Sequence, residues 1–305
     1  MWFKNLVIQR LPADWSYTAA QLEELMSKRI LLPCGPFEMA SRGWVPPSAG
    51  NARLVHTVNQ QHLIALGVDQ KLLPASIIRQ AAAERAAEQA QQQGFPVGRK
   101  QMRDIRMRVT EELRARALCR RRVTRAWIDP QNHWFIVDAA GPARAEELTE
   151  ILRETLGGSF AAQFLETQQS PQHSMATWLG HGDAPMRFSI DQELELQAAD
   201  GSRASVRYAR HPLDSREVQA HLKAGKHPLR LGLTWSDRIS FVLTDKLQVK
   251  RLEFLEMTKD TADGGDIDEA EQFDIDFAVM AGELAKLLED LSQVLGGELP
   301  KQEAG

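Results

Sequence analysis

Eleven basic residues stand between Arg99 and Arg125: Arg99, Lys100, Arg103, Arg106, Arg108, Arg114, Arg116, Arg120, Arg121, Arg122 and Arg125. Only Asp104, Glu111 and Glu112 oppose them, so the segment carries +8 in a chain whose net charge is −4. Ten of the eleven are arginine, whose guanidinium stays charged at any physiological pH and presents a planar fork of donors. That fork fits phosphate and carboxylate oxygens. A nucleic-acid duplex carries one phosphate charge per about 1.7 Å of its axis, and a row of fixed cations beside it releases counterions. The competing reading is a solvated helix face with internal pairs such as Glu112–Arg116. Three acids are too few to neutralise eleven bases that way.

The elements that must position these side chains are legible around them. At about 100° per residue, Met102, Ile105, Val109, Leu113 and Ala117 share one face, the pattern of an amphipathic helix. Arg99, Arg103, Arg114, Arg121 and Arg125 form a stripe beside it, provided the helix runs that far. Arg103 and Arg114 would then sit about 16 Å apart along the axis. Upstream, Pro74 opens an alanine-rich helix over 75–93, and Gly94-Phe95-Pro96-Val97-Gly98 breaks it. Two helices joined by so short a link predict an antiparallel hairpin. The first is thin in large apolar side chains, which points to a protruding arm.

The rest of the chain reads as strands and helices of ordinary globular composition, 43% hydrophobic and 26% charged over 305 residues. Residues 2–10 alternate like a strand, and Thr18 caps a helix to Arg29. The Pro/Gly-rich segment 30–47 predicts a structured loop or irregular strand, and 62–73 one or two strands. VTRAWID and HWFIVDAA flank Pro130-Gln131-Asn132 as a hairpin, and Pro142 starts a helix ended by Gly157-Gly158. Residues 159–185 read as a crossover between halves. Two strands follow, then a short helix capped by Ser215, a meander of about three strands, and a closing amphipathic helix on Phe273, Phe277, Met280, Leu284, Leu287, Leu288, Leu291 and Leu295. A weak echo between TRAWID…WFIVD…LGG and LTWSD…ISFVL…LGG raises a duplication.

Other chemistry finds little support. There is no GxGxxG, Walker loop, GxSxG or HExxH. His221 and His227 read as a basic edge rather than metal ligands. The acids Asp260, Asp263, Asp266, Asp268, Glu269, Glu271, Asp274 and Asp276 lack the ligand spacing of a calcium loop and read as negative charge at a helix N-terminus. The expectation is therefore no metal, no cofactor and no catalytic residue. Two cysteines, Cys34 and Cys119, without CxxC, point to a reducing cytoplasm, and no partner thiol for Cys119 is evident in the sequence. No run of 18 apolar residues predicts a membrane span, and the first residues are too soon interrupted for a signal peptide. A second basic group gathers at Arg203, Arg207 and Arg210, followed by His211.

MWFKNLVIQRL, LLPCG…EMASRGWVPP, KLLPASIIRQ, AWID, AGK…LRLGLTW, RISFVLTD…VKRLEF and DFAVMAGELAKLL…LGG together resemble the recombination-associated RdgC family, end to end. The resemblance implies an α+β fold built as a horseshoe with antiparallel sheets, flanking helices and a protruding helical arm. It implies a homodimeric ring around double-stranded DNA, located in the cytoplasm on the nucleoid, that restrains the RecA recombinase. It divides the chain into a centre (1–74 and 126–170), a tip (75–125) and a base (171–305). Where relatives show Pro-Arg-Ala-Phe at the dimer gate, this chain has Ala115-Arg116-Ala117-Leu118, so Leu118 takes the place of the gate phenylalanine. The family's basic segment aligns with Arg207 to His211.

Together these readings nominate a non-enzymatic, sequence-independent duplex DNA clamp. Its candidate contacts are Arg99, Arg103, Arg106, Arg114, Arg116, Arg121, Arg207, Arg210 and His211. No base readout is expected, and the arm has no aromatic residue to stack on single strands. The rival is a protein-interaction scaffold whose basic arm docks an acidic partner. A metal-dependent nuclease is a third class.

Overall fold

The computed structural model describes residues 2–48, 50–255 and 268–299. Among them the elements run β1 (Asn5–Arg10), α1 (Ala19–Ser27), β2 (Ala40–Val45), β3 (Val55–Val58), β4 (Gln61–Lys71), α2 (Ala75–Gln93), α3 (Arg99–Arg116), β5 (Cys119–Asp129), β6 (Trp134–Val137) and α4 (Pro142–Thr155). They continue with β7 (Gln163–Phe164), α5 (Pro171–His181), β8 (Phe188–Ala198), β9 (Ser205–Ala209), α6 (Arg216–Lys223), β10 (Lys226–Trp235), β11 (Ile239–Thr244), β12 (Gln248–Phe254) and α7 (Glu269–Val294). The class is α+β, with an open antiparallel sheet. Two compact units divide the chain: Met1–Glu23, Pro46–Ile64 and Thr124–Gly305 form the larger, Glu24–Val45 and Ala65–Val123 the smaller.

In the larger unit the strands follow the order β5-β6-β1-β12-β11-β10-β8-β9. β1 pairs with β6 along Val7–Arg10, and its other edge takes β12 along Asn5–Val7 and β7 along Gln9–Arg10. The β5–β6 hairpin closes because the Asp129 carboxylate accepts the N–H groups of Gln131 and Asn132, both at 3.0 Å. That Asx turn is how a short acidic side chain replaces a backbone turn. α7 lays Phe277, Met280, Leu284, Leu287, Leu288, Leu291 and Leu295 into the core with Trp235, Phe241 and Leu243. Its three buried carboxylates have partners, Asp276 accepting from the Gln272 amide at 2.9 Å. Asp290 accepts from the Trp235 indole at 2.7 Å and from Arg187, and Glu283 accepts from Arg238 at 3.2 Å.

The crossover expected over 159–185 is instead partly helical. Ser170 caps α5 by accepting the His173 N–H, Pro171 takes the first turn, and Met175, Trp178 and Leu179 are buried. Its polar composition masked a three-residue apolar face, which is enough for a short helix once a sheet lies beneath it. Asp260, Asp263 and Asp266 lie outside the described residues. Asp268 is the N-cap residue of α7, and Glu269 and Glu271 occupy its first turn, where negative charge complements the helix dipole.

In the smaller unit β2 pairs with β4 in the register Gly43↔Gly67, and the chain at Ile30–Leu31 runs across this pair. A Cβ on Gly43 would fall 2.4 Å from the Leu31 nitrogen, and one on Gly67 would fall 2.7 Å from a Val45 methyl. Gly43 lets backbone lie against backbone, and Gly67 leaves room for the Val45 and Leu31 side chains. Gly43→Ala forces main chain apart and should cost about 2–3 kcal/mol. The urea midpoint of the variant reads this directly; an unchanged midpoint would mean that the Ile30–Leu31 crossing is dispensable.

Candidate nucleic-acid interface

Helices α2 and α3 pack through small residues. Ala82 and Ala86 of α2 are buried against Ile105 and Val109 of α3, with Ala81, Val97, Met102 and Leu113 around them. Alanine gives α2 helix propensity and a surface on which the larger α3 side chains can settle. Gly94 ends α2 in the left-handed conformation, φ 78°, with its N–H on the Ala90 carbonyl. Gln101 then accepts the Gly98 N–H at 2.9 Å and fixes the start of α3. Arg85 grips Glu112 across the hairpin with bonds of 3.3 and 2.8 Å.

This last pair replaces the one that the competing reading offered as its example. Glu112 turns to Arg85 rather than to Arg116. The outcome is a set of exposed bases on and just after α3: Arg99, Lys100, Arg103, Arg106, Arg108, Arg116 and Arg120. Among the described residues none of these seven takes part in an ion pair. Arg99, Arg103 and Arg106 lie within roughly 60° of one another around the axis at 100° per residue.

Other candidates are differently placed. The helix stops at Arg116, Ala117 turns extended, and residues 119–129 form β5. The stripe expected to continue through Arg121 and Arg125 is therefore cut. Val123, Thr124 and the apolar run Ala126–Ile128 favour a strand, and pairing with β6 fixes it. Arg121 donates to both oxygens of Asp69, at 2.8 and 2.7 Å, so its charge is matched within its own chain. Arg125 is half-buried, with Nε on the Pro47 carbonyl at 3.1 Å, and burial pushes its pKa down despite nearby Asp138. Arg114 is partly buried and donates to the Phe37 carbonyl at 3.2 Å. Leu118 is 78% exposed, and its carbonyl accepts the Leu72 N–H at 2.8 Å.

The second basic group belongs to the larger unit. Arg207 on β9 reaches Glu193 at 3.3 Å, and Arg251 bonds the same carboxylate, so two guanidiniums share one negative charge. Arg210 is exposed at φ 54° just past the end of β9, without an ion pair among the described residues. His211 places Nδ1 2.8 Å from the Pro212 carbonyl oxygen, with its ring 5.3 Å from that of Tyr208. Asp191, Glu193 and Glu253 line the shallow groove that Arg207, Arg210 and Arg251 share. His221 accepts from Lys226 at 2.7 Å. Among the described residues no three His, Cys, Asp or Glu side chains cluster as metal ligands would.

The sequence reading missed Asp69 as the partner of Arg121. The available signal was an acid in the otherwise apolar strand ALGVDQK, since a carboxylate buried in a strand needs a cation.

Fold and surface together define an α+β protein with an arginine-rich helical face whose exposed bases make no ion pair among the described residues. Comparison with known proteins gives the particular family. The RdgC family model, described as "Putative exonuclease, RdgC", matches residues 1–298. The chain is 49% identical over 302 residues to the recombination-associated protein RdgC of Dechloromonas aromatica, covering 98% of this chain and 99% of that one. It is 47% identical over 298 residues to the RdgC of Cupriavidus pinatubonensis, with 98% and 99% covered, and 44% identical over 302 residues to that of Herminiimonas arsenicoxydans, with 99% and 100% covered. The chain belongs to the RdgC family.

The Arg121–Asp69 pair has a pH signature. The two hydrogen bonds from Arg121 hold the Asp69 carboxyl below its ordinary value, against the opposing effect of burial. A folded-state pKa below the unfolded one adds stability that is present above about pH 4 and lost as pH falls through the folded value. Between about pH 5 and pH 2 the wild type should therefore lose more stability than Asp69→Asn. Parallel acid limbs in urea titrations of the two proteins would remove the pair from the stability of this unit.

Proposed function

We propose that this protein binds double-stranded DNA without sequence preference, as a homodimeric ring on the nucleoid, and that by occupying DNA it restrains RecA-dependent recombination. Membership of the RdgC family and the relatives' name, recombination-associated protein, support the recombination role. The observation that carries the DNA reading is the unpaired arginine face of α3. Arg99, Arg103, Arg106, Arg108 and Arg116 would be its phosphate contacts, with Arg210 contributing from the larger unit. Arg121 and Arg207, already held by Asp69 and Glu193, would add less, because a phosphate would have to displace a carboxylate. Arg114 would act mainly as a support for the loop at Phe37. Leu118, with neighbouring apolar surface, would make the dimer gate. No described helix is long and apolar enough to cross a membrane.

Neutralising about six phosphates gives a slope of log K against log salt near −5. The double variant Arg103→Glu/Arg106→Glu should weaken binding to every duplex alike and flatten that slope by roughly two. Neither residue packs in the hairpin core, so helicity should hold. Fluorescence anisotropy with random duplexes at several salt concentrations checks both, and a slope near zero would leave the scaffold reading in its place. Sedimentation should show a dimer, which a ring requires.

The family description raises a second reading, an exonuclease. End-labelled duplex incubated with the protein and Mg²⁺ should stay full length. Progressive shortening, absent when EDTA is added, would move the protein among the enzymes.

A further inference from the structure

We propose that Cys34 and Cys119 are a redox modification site that closes to a reversible intramolecular disulfide under peroxide. The two residues are 85 positions apart in sequence and meet in the smaller unit.

Backbone and side-chain contacts bring them there. The loop after Cys34 is a tight turn. Glu38 N–H donates to the Gly35 carbonyl, Gly35 N–H donates to the Glu38 carboxylate at 2.9 Å, and the Cys34 thiol donates to the Glu38 carbonyl at 3.5 Å. Lys71, at the end of β4, holds this turn by donating Nζ to the carbonyls of Gly35 at 2.6 Å and Pro36 at 3.1 Å. The next residue, Leu72, donates its N–H to the carbonyl of Leu118, which directly precedes Cys119. Cys34 and Cys119 thus each adjoin a residue hydrogen-bonded to the same Lys71–Leu72 step. The Cys119 sulfur is near enough to act on the Cys34 thiol, and both cysteines are free.

Their settings differ in a useful way. Cys119 is exposed at the first position of β5, open to a small oxidant. Cys34 is partly covered. Burial pushes its thiol pKa up, the Cys119 sulfur adds to that, and the Lys71 ammonium opposes it. Cys119 is accordingly the thiol that meets the oxidant, and Cys34 the one that resolves the product. The Cys119 thiol gives up its proton, its thiolate attacks one oxygen of hydrogen peroxide, the O–O bond breaks, and the departing hydroxide takes up that proton, leaving a sulfenic acid and water. The Cys34 thiol attacks the sulfenic sulfur, the S–O bond breaks, a second water leaves with the thiol proton, and the S–S bond forms. Two thiols are oxidised and one peroxide is reduced to two waters. A dithiol reverses the step by exchange. Any movement that joins the sulfurs would fall on the irregular segment around Cys34, outside any helix or strand.

The bond would tie two exposed apolar side chains into one frame. Phe37, 79% exposed, rides on the Cys34 turn, and Leu118 is adjacent to Cys119. Arg114, anchored on the Phe37 carbonyl, would be fixed with them.

The test uses the full chain, reduced, then treated with a modest excess of hydrogen peroxide. Both titratable thiols should disappear together, the intact mass should fall by two hydrogens, and a non-reducing digest should yield one peptide pair joining Cys34 to Cys119. Dithiothreitol should restore both thiols. The thermal midpoint of the oxidised protein should lie above that of the reduced one, because the crosslink closes a long loop of the unfolded chain. In Cys34→Ser the same treatment should instead add oxygen to Cys119 or join two chains. Independent loss of the two thiols in the wild type overturns the proposal, as do a mass gain of oxygen or crosslinked chains as its main product.

Discussion

The geometry of the smaller unit depends on how α3 buries its apolar face. Ile105 and Val109 can reach low-energy packing only against a surface as shallow as Ala82 and Ala86 provide. Once they are seated, the helix has no rotational freedom, and Arg99, Arg103 and Arg106 must face away from the seam. The cross-hairpin pair Arg85–Glu112 strengthens the same orientation and removes one of the few acids that could have quenched the stripe. A cationic surface is held in place here by a hydrophobic contact of small residues rather than by any property of the cations.

Charge alone does not make a binding surface, and the molecule shows the contrast. Arg121 and Arg207 are exposed like the α3 arginines, yet each lies against a carboxylate of its own chain. Such pairs hold strands and loops together. Removing either guanidinium would leave a covered carboxylate without its cation, which raises the cost of recruiting that guanidinium to a phosphate. Sorting the arginines by partner therefore separates those that build the fold from those left for a ligand. The chain's net charge is −4 while the segment from Arg99 to Arg125 carries +8, a contrast that would favour a polyanion at that region under the proposed function.

The turn at Cys34–Glu38 ties three features to one place. Lys71 holds the turn, Arg114 binds its Phe37 carbonyl, and Leu72 fixes the Leu118–Cys119 peptide. Exposed apolar side chains, a basic helix end and two thiols thus share a few backbone hydrogen bonds. A change at any of them is felt by the others through rigid main chain rather than through solvent.

Much of this was written in local pattern. The 3.6-residue spacing of Met102, Ile105, Val109 and Leu113, the period-two strands around Pro130-Gln131-Asn132, the Ser215 cap and the leucine face of α7 are all short-range signals, and each element formed where its signal stood. The family resemblance carried the α+β class and the family membership. What local pattern could not decide was every choice between partners. Helical spacing continued past Arg116, but the chain entered strand β5 instead, beside β4, and Arg121 became the partner of Asp69, 52 positions away. Glu112 had two arginines within reach, and the hairpin crossing gave it to Arg85. Nothing near Cys119 in the chain announced Cys34. Sequence fixes which side chains can bear charge, donate or oxidise, because these are properties of single residues and short periods. Which of them are neutralised, and which meet, is set by long-range packing, and only the folded chain brings those distances down to a few ångströms.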